Sequence, residues 1–132
     1  MAYVSVTRLR LRKKRYLFPF IVFAFRTMQQ SKRTPGNLHA SAIPDKRLTF
    51  WTITLWNSES DMRNFRNVGA HLKVMPKLAV WCDEATYVHW NQPEPQPPSR
   101  TEAHRRLVSE GTVSRVQFPS ADHYTRHFPA PG

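Results

Sequence analysis

Cysteine, glycine and acid are what this chain of 132 residues has least of. Cys82 is the single cysteine. It excludes an intrachain disulfide and a cysteine-rich zinc site, and it fits a reducing, cytoplasmic setting. Four glycines leave no G-x-x-x-x-G-K-[ST] loop, no G-x-G-x-x-G turn and no G-x-S-x-G elbow, so nucleotide cradling and hydrolase chemistry of those types are not expected. Long apolar runs are missing too. The longest, Tyr16 to Phe25, is ten residues, against the roughly 20 that span a bilayer. Arg26, Thr27, Met28 and Gln29 follow it, without the small residues of a signal cleavage site. A soluble cytoplasmic protein is the expectation.

Base is what the chain has in excess. Twenty Lys and Arg stand against nine Asp and Glu, a formal charge of +11. Residues 1–47 hold 11 of the bases and one acid, Asp45. Arg8, Arg10, Arg12, Lys13, Lys14 and Arg15 are the centre of this excess and the candidate anion-binding group. The same charges would equally serve as a solvated strand edge that discourages sheet-to-sheet pairing.

The 40% of apolar residues suffice for one core. Tyr3 to Leu11 alternates as a strand, with Tyr3, Ser5, Thr7, Leu9 and Leu11 on one side and Val4, Val6, Arg8 and Arg10 on the other. From Leu17 the period becomes helical through Phe20, Ile21, Ala24, Phe25 and Met28, with Phe18, Val22 and Phe23 off that stripe. Such a helix is either deeply buried or meets another subunit. Pro35-Gly36 ends it, and strands Leu38–Ile43 and Leu48–Trp56 follow as a hairpin around Pro44 to Arg47. Asn57 or Ser58 caps a second helix that Gly69 interrupts, and Glu84 to Asn91 is a fourth strand. The order βαββαβ is the ferredoxin-like arrangement, an α+β fold with an antiparallel sheet. Two copies packed sheet to sheet would hide aromatic faces that one cannot cover. Residues 1–92 are the expected domain. Residues 93–132 read as a proline-rich linker, a short helix capped by Ser99, a fifth strand over Thr112–Phe118 and a C-terminal arm lying on the domain or its partner.

His71 is the first candidate for chemistry, because an imidazole titrates near neutrality. It also fits a plain helix histidine bonded to backbone. No His, Asp or Glu stands three or four residues after it, so no helical metal pair is expected. His39 and His89 could meet only if their strands pair. Phe50, Trp56, Trp81 and Trp90 can line an apolar cavity with Thr52 and Thr54 as hydroxyl donors inside it; a sheet core or dimer interface would use the same residues. Asp83 and Glu84 are expected on opposite sides of a strand, which argues against a catalytic carboxylate pair; their expected part is to offset the basic first segment.

Residues 52–84 carry a resemblance. TLWNSESDMRNF, then GAH, then WCDE is similar to the dimeric α/β-barrel superfamily, and within it to the antibiotic-biosynthesis monooxygenase and spheroidene monooxygenase-like groups. The matching positions are Leu55 and Trp56, Met62 and Phe65, His71, and Trp81 with Glu84. The resemblance implies a homodimer with a cavity between sheet and helices. It carries Trp56 and His71 over as catalytic positions and Glu84 as a further site residue. The expected activity is oxygenation of an apolar or conjugated small molecule, with no cofactor required. A non-catalytic small-ligand or heme-binding dimer is the alternative, with His71 as axial ligand and the Arg8–Arg15 stretch meeting propionates. Nucleic-acid or anionic-membrane binding through the basic segment ranks third. No reading motif accompanies it, and Tyr16, Phe18 and Phe20 fit a buried helix.

Overall fold

A computed structural model describes residues 1–126 and 128–131, without the side chains of Ala70, His71 and Val74. Strand β1 (Ala2–Leu11) leads through a 3₁₀ turn to helix α1 (Leu17–Arg33), then to β2 (Asn37–Asp45) and β3 (Thr49–Trp56). Helices α2 (Glu59–Arg66) and α3 (Gly69–Trp81) precede β4 (Cys82–Gln92), which is followed by α4 (Arg100–Glu110) and the two-residue β5 (Thr112–Val113). The strands form one sheet in the order β2-β3-β1-β4-β5, every neighbouring pair antiparallel. The first four strands with their crossing helices are the ferredoxin-like unit expected from the sequence.

Local chemistry explains the element ends. Ser58 caps α2, its Oγ accepting from the Asp61 backbone N–H at 3.2 Å. Ser99 does the same for α4 toward the Glu102 N–H at 3.1 Å. The Glu102 carboxylate does not close a capping box; it pairs with Arg105 and Arg106 one turn on. Gly36 turns the chain out of α1 with φ +91°, where a side chain would be strained and its Cβ would displace the Asp61 side chain. The fifth strand is shorter than expected. Ser114 N–H still bonds the Ala85 carbonyl, but Gln117 N–H bonds Ala79 of α3, so the chain has already left the sheet edge.

Period-two alternation gives the sheet two different faces. Val4, Val6, Trp51, Ile53, Leu55, Val88 and Trp90 point to one side and form the main core with Ala103, Leu107 and Phe128. This corrects the expectation that only a second copy could cover that face: α4 and the C-terminal segment of the same chain lie on it. His123 fastens this segment, its Nδ1 accepting from Ala85 N–H and its Nε2 donating to the Ser114 carbonyl at 2.8 Å. The bases of β1 also lie on this side. Arg8 bonds Glu84 at 2.6 Å, both almost fully buried, and its guanidinium lies 4.4 Å from the centre of the Phe128 ring. Arg10 bonds Asp83 through two contacts of 2.8 and 2.9 Å. Burial pushes the Glu84 carboxyl up. The Ser120 hydroxyl, Arg8 and Arg10 outweigh that and hold it below the ordinary carboxylate range.

Two outcomes follow. Leu107→Ala leaves a hole under α4 and is expected to cost about 2–5 kcal/mol, read by urea denaturation. Glu84→Gln leaves the Arg8 charge buried without its counter-ion, at a cost of about 3–5 kcal/mol. Because Glu84 titrates low when folded, its contribution is complete above the ordinary carboxylate pKa and is lost as pH falls through the lowered value. The gap between wild type and Glu84→Gln is therefore expected to close in acid; a pH-independent gap would refute the charge argument.

Candidate functional site

The other face of the sheet is built from small and hydroxylated side chains. The register places Thr54, Ser5 and His89 in one row across β3, β1 and β4, and Thr52, Thr7 and Tyr87 in the next. Ala42 extends the second row onto β2, opposite Thr52. Because these side chains are short, α1 and α3 cannot close down on them. The space left is a cavity of about 350 Å³, within the 300–1,000 Å³ usual for small-molecule sites.

Phe20, Phe23, Ala24, Thr27 and Met28 of α1 and Met75, Leu78 and Ala79 of α3 roof the cavity. Met62, Phe65 and Arg66 of α2 and Ser114, Arg115 and Val116 complete the wall. The lining is mostly apolar, with hydroxyls concentrated on the floor. The Thr27 hydroxyl is buried and has no hydrogen-bond partner among the described residues, so it can receive a ligand's polar atom.

His89 is the imidazole of the floor. Its ring lies 5.7 Å from that of Tyr3 and 5.2 Å from that of Tyr87. Burial, and then the cation of Arg66, lower its pKa from the ordinary 6.5. The imidazole is thus neutral at neutral pH, able to take a proton or accept a hydrogen bond. Cys82 is not a rival nucleophile: burial and then Asp83 push its thiol up to about 12. Among the described residues no group of three or more His, Cys, Asp or Glu could hold a metal ion.

The sequence candidates divide sharply. Thr52 and Thr54 line the cavity. Phe50 and Trp56 share their face but stand at the ends of β3, one step behind the lining. Phe50 packs on Phe20 with ring centres 4.7 Å apart, and Trp56, fully buried, stacks on Phe65 at 5.2 Å. Trp81 closes α3 against Phe23 and Tyr16. Trp90 and Glu84 are on the opposite side of the sheet, because the alternation of β4 that turns Ala85, Tyr87 and His89 to the cavity turns them away; neither borders it. His71 lies outside the described side chains. His39 and His89 cannot meet, since β3 and β1 separate their strands.

The anion-binding group also breaks up. Arg8 and Arg10 are committed to Glu84 and Asp83 on the far face. Arg12 donates to the Val80 carbonyl and the Tyr16 hydroxyl. Lys13, Lys14 and Arg15 are exposed in the turn before α1. A heme in the cavity would not find its propionates met by Arg8 and Arg10, so these residues do not fit that cofactor.

No protein-family model matches the chain, and no curated protein matches it either. Solved structures do. A protein assigned to the antibiotic biosynthesis monooxygenases, from Nitrosomonas europaea, has a TM-score of 0.64 at 18% identity, covering 72% of this chain and 93% of that one. SnoaB, a cofactor-independent oxygenase from Streptomyces nogalater, reaches 0.58 at 17% identity over 70% of this chain and 94% of its own. A conserved protein from Methanosarcina mazei reaches 0.63 at 12% identity, over 70% and 93%. The α+β fold is therefore that of the antibiotic biosynthesis monooxygenase structures, at low sequence identity. Nearly all of each of these proteins has a counterpart here, while more than a quarter of this chain has none.

Ala24 faces the cavity from α1, so Ala24→Trp should fill it from above with little loss of stability. Fluorescence titration with an apolar dye is expected to show uptake by the wild type and none by the variant. Equal uptake would place the dye elsewhere.

Proposed function

We propose that the protein oxygenates a flat, largely apolar small molecule bearing an acidic O–H or an enolisable carbon, bound between the sheet and the helices. The observation carrying this reading is a neutral imidazole, His89, on the hydroxyl-lined floor of an otherwise apolar cavity. His89 takes the substrate proton, and the resulting anion is stabilised by the Arg66 cation and by donors from the floor, such as Thr54 and Ser5. The anion is electron-rich enough to reduce dioxygen directly. For an activated CH₂ group both C–H bonds break and one oxygen atom becomes the carbonyl. The other leaves as water with the two hydrogens, and the substrate supplies all four electrons. That balance requires no resident cofactor, and the fold likeness to a cofactor-independent oxygenase supports it.

Trp56 serves as backing for Phe65, and His71 on α3 is proposed as a second imidazole acting on the same substrate. The expected homodimer remains part of the proposal. With α4 on the sheet face, pairing has to use another surface, and light scattering on the intact chain tests it.

The measurement is dioxygen uptake with an enolisable polycyclic phenol, together with ligand binding followed by tryptophan fluorescence. His89→Ala is expected to lower kcat about 10²–10⁴-fold while binding persists. His71→Ala, made in parallel, separates the two imidazoles. Because the His89 pKa is lowered, the basic form persists below pH 6.5, so wild-type activity is expected to hold into mildly acid solution before it falls. Unchanged turnover in His89→Ala would remove His89 from the chemistry. Binding without any uptake would leave a non-catalytic ligand carrier.

A further inference from the structure

Helix α1 is apolar on two opposite faces, and the cavity uses only one of them. Phe20, Phe23, Thr27 and Ser31 turn inward, where Phe20 and Ser31 are buried. Phe18, Ile21 and Phe25, at the i, i+3, i+7 spacing of one helical stripe, turn outward and are 78%, 49% and 62% exposed. Helix α3, packed beside α1, adds exposed Leu72 and Met75, and Val68 at its start is exposed as well. Large apolar side chains left in water over a whole helix face mark an interaction surface.

The charge on α1, the turn before it and α3 is of one sign. Residues 12–33 contain seven Lys and Arg and no acid, and residues 67–81 contain two Lys and no acid. Lys77 extends over the Phe23 ring at 4.3 Å, and Arg26 over the same ring at 5.9 Å. Lys13, Lys14 and Arg15 stand exposed just before the stripe begins. A second copy seated here by twofold symmetry would bring like charges together and is disfavoured. No helix among the described residues is long and apolar enough to cross a membrane. Outward aromatics flanked by bases, on helices that carry no acid, match an anionic bilayer surface, where the rings enter the acyl boundary and the cations meet the headgroups.

We infer that the α1–α3 layer docks the protein on anionic membrane surfaces, with Phe18, Ile21 and Phe25 inserted and the Lys13–Arg15 cluster on the headgroups. Met75 is both exposed on this layer and part of the cavity wall, so the bilayer would border the ligand site. Docking itself does not depend on the proposed reaction. The sequence had placed Phe18 in a buried helix; its exposure, and that of Phe25, reverses the reason for ranking a membrane role last.

Co-sedimentation of the full chain with vesicles tests the inference directly. Vesicles of equal parts phosphatidylglycerol and phosphatidylcholine are expected to retain the protein at low salt, and pure phosphatidylcholine vesicles are not. The double change Phe18→Ser, Phe25→Ser should weaken retention by roughly tenfold or more. Lys13→Glu with Lys14→Glu should do so by a similar factor, and added salt should mimic it. These positions are exposed, so an unchanged circular dichroism spectrum is expected for both variants. Equal retention on neutral vesicles, or no effect of the phenylalanine changes, would overturn the inference. So would a wild-type dimer that Phe18→Ser converts to monomer, which would give the face to a second copy. Retention on duplex DNA with none on vesicles would make the partner a polyanion and end the membrane reading.

Discussion

The register of β1 is the constraint on which the rest depends. It lies at the centre of the sheet, paired along nearly its whole length with β3 on one side and β4 on the other. Its alternation sends Val4, Val6 and Arg8 to one face and Ser5, Thr7 and Leu9 to the other. A slip of one residue would push Arg8 into the cavity and Ser5 and Thr7 into the aromatic core. The ion pair of Arg8 with Glu84 stands against that slip. In a shifted register two almost fully buried charges would lose their counter-ions, a heavier penalty than losing apolar contacts of similar area. The pair's value is thus as much to specify the alignment as to stabilise it.

The same alternation explains why the two faces behave so differently. The Val/Trp face is filled by a helix whose inward residues, Ala103, Leu107 and Val108, are of modest size, since its own side chains are bulky. The Ser/Thr face has floor side chains too short to reach the roof. Close packing there would need α1 and α3 to sit closer to the sheet, but Phe20, Phe23 and Leu78 hold them off. The cavity is a consequence of small residues below large ones, and its polarity follows from which small residues were chosen. An all-alanine floor would give a dry void; the hydroxyls and the imidazole give one that can orient a ligand.

Much of this was legible in the residues. The strand order, the break at Gly69 and the Ser58 and Ser99 caps are local events with local signals, and they appear where the spacing placed them. So does the shared parity of Phe50, Thr52, Thr54 and Trp56. Parity alone does not say which face meets the helices, and there the β4 assignments failed. Glu84 and Trp90 do share a face, but it is the face of Arg10 and Val4, their register partners on β1. One signal was available: Arg8 and Arg10 needed acid partners, and Glu84 carries the nearest parity match. Reading Glu84 as a counter-charge for those bases is incompatible with reading it as a cavity residue, and the first reading alone turns Tyr87 and His89 toward the cavity. The outward stripe of α1 was harder to read, because a helix apolar on both sides looks the same whether buried or amphiphilic.

Where the acids lie decides where the basic field emerges. Asp83 and Glu84 hold Arg10 and Arg8, Glu102 holds Arg105 and Arg106, and Glu59 holds Arg63. Asp45 takes the indole N–H of Trp51 at 3.1 Å. The carboxylates at the start of β4 thus lie across the sheet from the helical layer, and those of α4 lie beyond the sheet as well. Packed layers are spaced by about 10 Å, and the screening length in physiological salt is about 8 Å. Charge on the far side of the sheet therefore does little to cancel the field at the outer surface of α1 and α3. Helices α1 and α3 themselves carry no acid, so their outer surface stays basic, and the aromatic stripe projects from it.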